Sequence, residues 1–333
     1  MSKFSNDSNI PLSVAVHLAA DTYDFKPNDK SLSATDFNKS VRQIILRKRA
    51  NKQSLDLEPT DIGNLVKSKM GTSIHDSIES TWKSDQLRKK GLRALGYPEN
   101  VVENIKFNPD PTTLQKGDIP VYMELRGSIE LDGYTIAGKF DFVGNGELQD
   151  FKSTGVWKWN HLTDADVDYR RQGSIYRLIH SNIVTKDYMS IIFWFTDWKK
   201  SEAKKNPKYP QSAITPHKIN LLSIEEITKE MREFISEIEL HKDTCEAELP
   251  ECSPEHLWQG SPVYKYYKNP TKRTKSTANF DNMYEAQTRF IKDGGVGLIV
   301  TVPAQAKACH YCNAYSICTQ KDKLLEAGTL KQE

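Results

Sequence analysis

Hydrophobic residues recur along this chain with two different periods, and the order of the two outlines a fold. From Asp61, the segment "DIGNLVKSKMGTSIHDSIESTWKSDQLRKKGLRALG" places Ile74, Ile78 and Trp82 at i, i+4 and i+8. That is one apolar stripe on a long helical segment, which we expect to break or bend near Gly71. Before it, "LSATDFNKSVRQIILRKR" begins with Ser and Thr capping candidates and continues in helix formers. After it the period becomes two. "VYMELRGSIEL" alternates, Asp132-Gly133 is a hairpin turn, "YTIAGKFDFV" returns, and "GNG" turns again into "ELQDFKS". A helical run, "DADVDYRRQGSIYRLIHSN", separates these strands from the wholly apolar "YMSIIFWFTDW". "AITPHKINLL" predicts a further strand and "SIEEITKEMREFISEIELHK" an amphipathic helix. Helix, three-strand meander, helix and strand make an α/β architecture, a mixed sheet flanked by helices.

A length of 333 residues is ample for a full core. With 46 basic residues against 44 acidic ones the net charge is +2, so any nucleic-acid surface has to be a local patch. No apolar run reaches the roughly 18 residues of a membrane span, and the N-terminus lacks the basic and apolar regions of a secretory signal. A soluble, cytoplasmic protein is the expectation. We divide it into a polar lead-in (1–31), a core (32–244) and a C-terminal segment (245–333) that holds all five cysteines.

The chemistry gathers where the strands end. Asp141 closes one apolar run and Asp150 lies on the next, so on neighbouring strands their carboxylates converge. Two hard oxygen ligands suit Mg²⁺, which prefers carboxylate and phosphate partners. Lys152, two residues past Asp150, leaves the strand from the same face and reaches the same space. A metal that polarises a phosphate, beside a lysine that steadies negative charge, is chemistry for phosphodiester hydrolysis. Glu124, on the preceding strand, is a further carboxylate candidate.

Four segments in order, "GTSIHDSIE", "GKFDFV", "LQDFKST" and "RRQGSIYRL", resemble the successive motifs of RecB-like nucleases of the PD-(D/E)XK superfamily. The likeness covers roughly residues 32–200 and implies a restriction-endonuclease-like core. It implies metal ligands His75 (from Gly71-x-x-x-His75), Asp141 (from Gly138-x-x-Asp141) and Asp150, with Lys152 as the catalytic lysine. Gln172 and Tyr176, one helical turn apart, are implied to orient DNA. A nitrogen ligand makes Mn²⁺ an alternative to Mg²⁺.

"CHYCNAYSIC" spaces Cys309, Cys312 and Cys318 as C-x2-C-x5-C, which wraps one side of a tetrahedral metal or an iron–sulphur cluster. This arrangement is similar to that of the iron–sulphur branch of the family, which includes the CRISPR-associated exonucleases. There a fourth cysteine precedes the core; here none does, so the fourth ligand is Cys252 or Cys245. Cys252, Pro-flanked in "LPECSPEHLW", is preferred, in a layout that resembles phage-encoded members. A [4Fe–4S] cluster is the first expectation, and a structural zinc completed by Cys252 or His310 is the alternative. Either would clasp the C-terminal segment.

Three basic runs are candidate DNA contacts: Arg42 with Arg47, Lys48 and Arg49; Lys199 to Lys208; and Lys265 to Lys275 interleaved with Tyr264, Tyr266 and Tyr267. The resemblance thus implies a metal-dependent DNA exonuclease acting on linear or single-stranded ends in replication, recombination or repair. A helicase, a single-strand-binding protein or a recombination protein would be its partner. A structure-specific endonuclease with the same site, and a non-catalytic DNA-binding or assembly subunit, are the competing expectations.

Overall fold

The computed structural model describes residues 4–20, 28–53, 60–162 and 166–331. Parts of the expected lead-in and the first residues of the helical run at 164 lie outside them. The chain forms two compact units: Met1–Asn38 with Asp56–Ile235, and Lys39–Leu55 with Ser236–Glu333. It is an α/β protein with mixed sheets flanked by helices and a cysteine-rich C-terminal region.

In chain order the helices used below are α1 (Leu12–Ala19), α2 (Val41–Gln53), α3 (Val66–Lys83), α4 (Asp85–Ala94), α5 (Glu99–Asn104), α6 (Val156–Asn160), α7 (Val167–Ile179), α8 (Lys200–Lys205), α9 (Ile224–His241), α10 (Met283–Lys292) and α11 (Thr319–Glu326). The strands are β1 (Ser31–Ser33), β2 (Ile105–Phe107), β3 (Ile119–Met123), β4 (Arg126–Leu131), β5 (Tyr134–Lys139), β6 (Phe142–Gly144), β7 (Glu147–Thr154), β8 (Tyr188–Phe195) and β9 (Ile214–Asn220) in the first unit. The second unit adds β10 (Val263–Tyr267), β11 (Ala278–Phe280) and β12 (Leu298–Val302).

The first unit is built on a six-stranded sheet in the order β9-β8-β7-β6-β3-β2. β8 runs parallel to β7, as the intervening helix α7 requires, while β6 is antiparallel to both β7 and β3. Each of the two long alternating runs, expected as one strand, is in fact two. The first breaks at Glu124 and Leu125, the second at Phe140 and Asp141. The N-terminal half of one and the C-terminal half of the other, β3 and β6, join the large sheet. The remaining halves, β4 and β5, form a hairpin that pairs with β1 in a separate three-stranded sheet. The cause is local: Glu124 has φ +51°, a left-handed conformation that ends a strand, and its N–H donates to the Asp141 carbonyl at 3.0 Å. The bend therefore sets the two acidic residues side by side at one corner. Both expected turns form, with Asp132 and Gly133 at φ +48° and +78° and Asn145 and Gly146 at +51° and +75°.

Helix α3 corrects a second expectation, because it runs unbroken through Gly71. The helical segment breaks instead at Ser84, whose Oγ accepts from Leu87 N at 3.3 Å and caps α4. Gly71 serves close approach: a Cβ there would lie 3.0 Å from Ser153 Oγ, so α3 lies tight against β7. Leu148 and Ile191, on the same face of adjacent strands as Asp150, are fully buried, as are Ile136, Phe140 and Ile175.

In the second unit, Ser40 and Gln43 cap α2 reciprocally, with Gln43 N to Ser40 Oγ at 3.1 Å and Ser40 N to Gln43 Oε1 at 3.0 Å. Ile45 and Leu46 on this helix pack with Leu249 and Ala314. An antiparallel sheet, β11-β10-β12, completes the unit.

Candidate active site

The peptide of Phe151, between Asp150 and Lys152 on β7, is the hub of the site. Its N–H donates to Asp141 Oδ2 at 2.6 Å, and its carbonyl accepts from His75 Nε2 at 3.1 Å. A carbonyl can only accept, so Nε2 of His75 carries the proton of the neutral ring and Nδ1 carries the lone pair. That Nδ1 faces Asp141 Oδ1 at 3.5 Å and Glu124 Oε1 at 3.6 Å, too far for good hydrogen bonds. Glu124 Oε1 is buried and has no hydrogen-bond partner among the described residues, while the other carboxylate oxygen pairs with Lys139.

His75, Glu124 and Asp141 thus offer three ligand atoms that all lie within 4.8 Å of one another, drawn from a helix, a strand break and the corner beside it. The donor set fits a divalent cation: one imidazole fixed by a backbone acceptor and two carboxylates, one with an orphaned oxygen. Two of the three carry the sequence-implied motifs. Glu124, first noted only as a further candidate, enters because its strand breaks, an event the alternation in "YMELRG" does not signal. Asp150 lies outside this set of three. It is 3% exposed, and its Oδ2 meets Lys152 Nζ at 2.5 Å. The two side chains share a face of β7, as the period of two requires.

The charges respond to one another. Asp141 first and Glu124 second favour the protonated His75 ring, raising its pKa to about 10 against the cost of burial, so a cation binding at Nδ1 would have to displace that proton. Burial pushes the Asp150 carboxyl up, and the Asp141 charge adds to this while Lys152 opposes it. Burial disfavours the Lys152 ammonium, yet Asp150 and Asp141 more than offset it and raise its pKa, so the lysine is charged. Tyr169 stands over this lysine, with the ammonium 5.8 Å from the ring centre, and burial raises its phenol to about 12.

Gln172 and Tyr176 share one face of α7, with Gln172 Nε2 donating to the Tyr176 hydroxyl at 2.8 Å. Tyr176 is only 6% exposed, and its ring lies on Gly138, where a Cβ would sit 2.7 Å from Cε1. The glycine of Gly138-x-x-Asp141 is therefore a packing residue that lets α7 settle on the β4–β5 hairpin.

In the second unit, Cys252, Cys309, Cys312 and Cys318 line one pocket together with Arg42, Gln43, Leu46 and Leu257, and Cys245 is exposed outside it. Ser40 Oγ lies 3.0 Å from Cys252 Sγ, and Arg42 Nε donates to Cys318 Sγ at 3.3 Å. Burial, then the neighbouring sulfurs, pushes the Cys309 thiol up to about 11. A positive group bound among the thiols is the environment that would ionise them.

Two of the basic runs need correction. Arg42 is 2% exposed: besides Cys318 it donates to the Leu249 carbonyl at 3.0 Å and to Thr319 Oγ1 at 3.3 Å, and it pairs with Glu246. Arg49 donates to the carbonyls of Lys242 and Thr244. These arginines knit the cysteine-rich unit together and are not a phosphate-binding surface. In the third run, Tyr266 and Tyr267 are buried, and Tyr266 donates its hydroxyl to Val296 O at 2.7 Å, so neither ring can stack on a base. Lys199, Lys200, Lys204, Lys205 and Lys208 are exposed.

No family model matches the chain, and no curated protein matches it. Among solved structures it is similar to an alkaline exonuclease (LHK-Exo) from Laribacter hongkongensis, at 12% identity and a TM-score of 0.36, over 64% of this chain and 90% of that one. It is also similar to a phage-related exonuclease from Haemophilus somnus 129PT, at 13% identity and a TM-score of 0.35, over 66% of this chain and 96% of that one. Likenesses at this level carry no functional inference. No helix among the described residues is long and apolar enough to cross a membrane.

Proposed function

We propose that the protein is a divalent-metal-dependent deoxyribonuclease, a RecB-like enzyme of the PD-(D/E)XK kind that removes nucleotides from DNA ends. The observation that carries this reading is the convergence of His75, Glu124 and Asp141 around the Phe151 peptide, with the Asp150–Lys152 pair on the same strand. A Mg²⁺ or Mn²⁺ ion held by His75, Asp141 and Glu124, with Asp150 beside them, would supply Lewis-acid polarisation of the scissile phosphate. The chain's own groups do the rest. His75 is held by the Phe151 carbonyl with Nδ1 turned inward, and Asp141 is held by the Phe151 N–H, so neither must reorganise to bind. Lys152, charged and partly open to solvent, meets the negative charge that builds on the phosphate oxygens. Asp150 holds the lysine in place. Tyr176 is buried and acts by holding the Gln172 amide, Gln172 orients the strand, and the exposed Lys199–Lys208 run binds the backbone nonspecifically.

Cys252, Cys309, Cys312 and Cys318 are proposed to hold a [4Fe–4S] cluster that staples the second unit. Support comes from the four sulfurs that share one pocket and from the Arg42 guanidinium that donates to Cys318. Iron, acid-labile sulfide and zinc analysis of the purified protein separates this from a structural zinc.

Function is tested with end-labelled linear single- and double-stranded DNA and with closed circles, in Mg²⁺ and in Mn²⁺, using Asp150→Ala and Lys152→Ala in parallel. Progressive loss of linear DNA, survival of circles and inactivity of both variants are expected. Cut circles would make the enzyme an endonuclease with the same residues. No cleavage by folded protein would overturn the catalytic reading.

A further inference from the structure

The short helix that follows the catalytic strand carries two tryptophans with opposite fates. β7 ends at Thr154, and α6 starts two residues later, its first N–H (Val156) donating to Asp197 Oδ1 at 2.7 Å. Trp159 anchors the helix inward. Its ring meets Phe193 and Phe195 edge-on, with centres 6.2 and 6.0 Å apart, and its Nε1 donates to the Lys208 carbonyl at 3.3 Å. Trp157 is 68% exposed. The His161 ring stacks on it at 4.1 Å and 22°, and His161 Nδ1 donates to the Trp157 carbonyl at 2.7 Å. A large apolar ring left in solvent forgoes the burial that normally stabilises a tryptophan.

Its position suggests what it is for. Lys158, the next residue, has its ammonium 3.4 Å from Asp166 Oδ1 and 5.1 Å from the Tyr169 ring centre, and Lys152 approaches the same ring at 5.8 Å. One tyrosine thus separates the lysine beside Trp157 from the lysine of the active site. A solvent-facing indole on the helix that follows the catalytic strand, next in the chain to Lys158, suits a ligand that is both aromatic and anionic.

We propose that Trp157, backed by His161, is a stacking platform for an unpaired base next to the scissile phosphate. The inference rests on the nuclease reading and deepens it: the substrate that reaches Lys152 is a single strand, or a frayed end, with at least one base free to leave its partner. Stacking tolerates any base, so the platform grips the strand without reading its sequence. The indole and Lys158 act together, one on the base and the other on the backbone.

The test measures binding of fluorescently labelled, phosphorothioate-linked single strands in Mg²⁺, each carrying one abasic position stepped inward from the end. Wild type is compared with Trp157→Ala and Trp157→Phe, which alter only an exposed side chain. In the wild type one abasic position is expected to weaken binding by about 5- to 150-fold, the range for one stacked base. Trp157→Ala should weaken binding of the intact strand by a similar factor and lose its sensitivity to that position. Trp157→Phe should retain both. Unchanged affinity in Trp157→Ala, or the same abasic sensitivity in its absence, would overturn the platform while leaving cleavage by the wild type intact. A wild-type protein that neither binds nor cuts DNA would overturn the nuclease reading and the platform with it.

Discussion

Gly138→Ala is the substitution whose cost the structure lets us work out most directly. A methyl group at 138 would lie 2.7 Å from Tyr176 Cε1, 2.8 Å from Cδ1 and 3.3 Å from Ile179 Cδ1. Relaxed carbon contacts lie at about 3.5–4.0 Å, so the ring or the hairpin must give by about 1 Å. Neither moves freely: the Tyr176 ring is buried and its hydroxyl accepts from Gln172. Overpacking of this kind costs about 1–3 kcal/mol. Against it, alanine narrows the unfolded ensemble and returns about 0.4–1 kcal/mol where its backbone angles are allowed. The net expectation is a loss of about 1–2 kcal/mol, read as a lower denaturant midpoint at unchanged slope.

Gly91→Ala in α4 is the internal control. Nothing lies within 4 Å of the new methyl there, and helix propensity alone should stabilise by up to about 1 kcal/mol. In a Tyr176→Leu background, where the ring is gone, the cost of Gly138→Ala should shrink by more than half. Because Asp141 is three residues along, cleavage should fall with the stability of the hairpin. A Gly138→Ala protein as stable as wild type would refute the account of this glycine as a packing residue.

Two further outcomes follow from buried charges. Arg42→Met should destabilise the second unit by about 3 kcal/mol, the low end for a broken buried pair because Glu246 keeps some contact with water; unfolding followed by circular dichroism checks it, and an unchanged midpoint would contradict it. His180 is buried against Phe140 at 4.8 Å between ring centres, and burial lowers its pKa below the ordinary 6.5. The unfolded chain therefore takes up the proton first as pH falls. Stability from this group is complete above 6.5 and is lost as pH drops through 6.5 towards the lowered folded value. The difference in unfolding free energy between wild type and His180→Leu should accordingly depend on pH in that window and be flat above it. A difference that stays flat throughout would refute the assignment.

Much of this molecule was readable before any coordinates, and the reason is that its signals are local. Asp150 and Lys152 share a face because a strand has a period of two. Gln172 and Tyr176 share one because they are a helical turn apart, and Asp132-Gly133 and Asn145-Gly146 turn because both positions accept positive φ. The order of helices and strands outside the two runs that split follows from the same short-range rules.

What the chain alone left open are the matters that depend on which surface meets which. Glu124 joins His75 and Asp141 only because two strands bend at one corner and change sheets, a choice made by pairing partners more than a hundred residues from some of the strands involved. Arg42 looks like a cation for phosphate until the cysteine loop closes over it; Tyr266 and Tyr267 look like stacking rings until α10 and β12 bury them. Trp157 and Trp159 stand two residues apart, on opposite sides of the same five-residue helix, and packing decides which of them is the anchor and which the free face. A periodic pattern says which side chains point the same way. Only tertiary packing decides whether that direction is core, solvent or a phosphate.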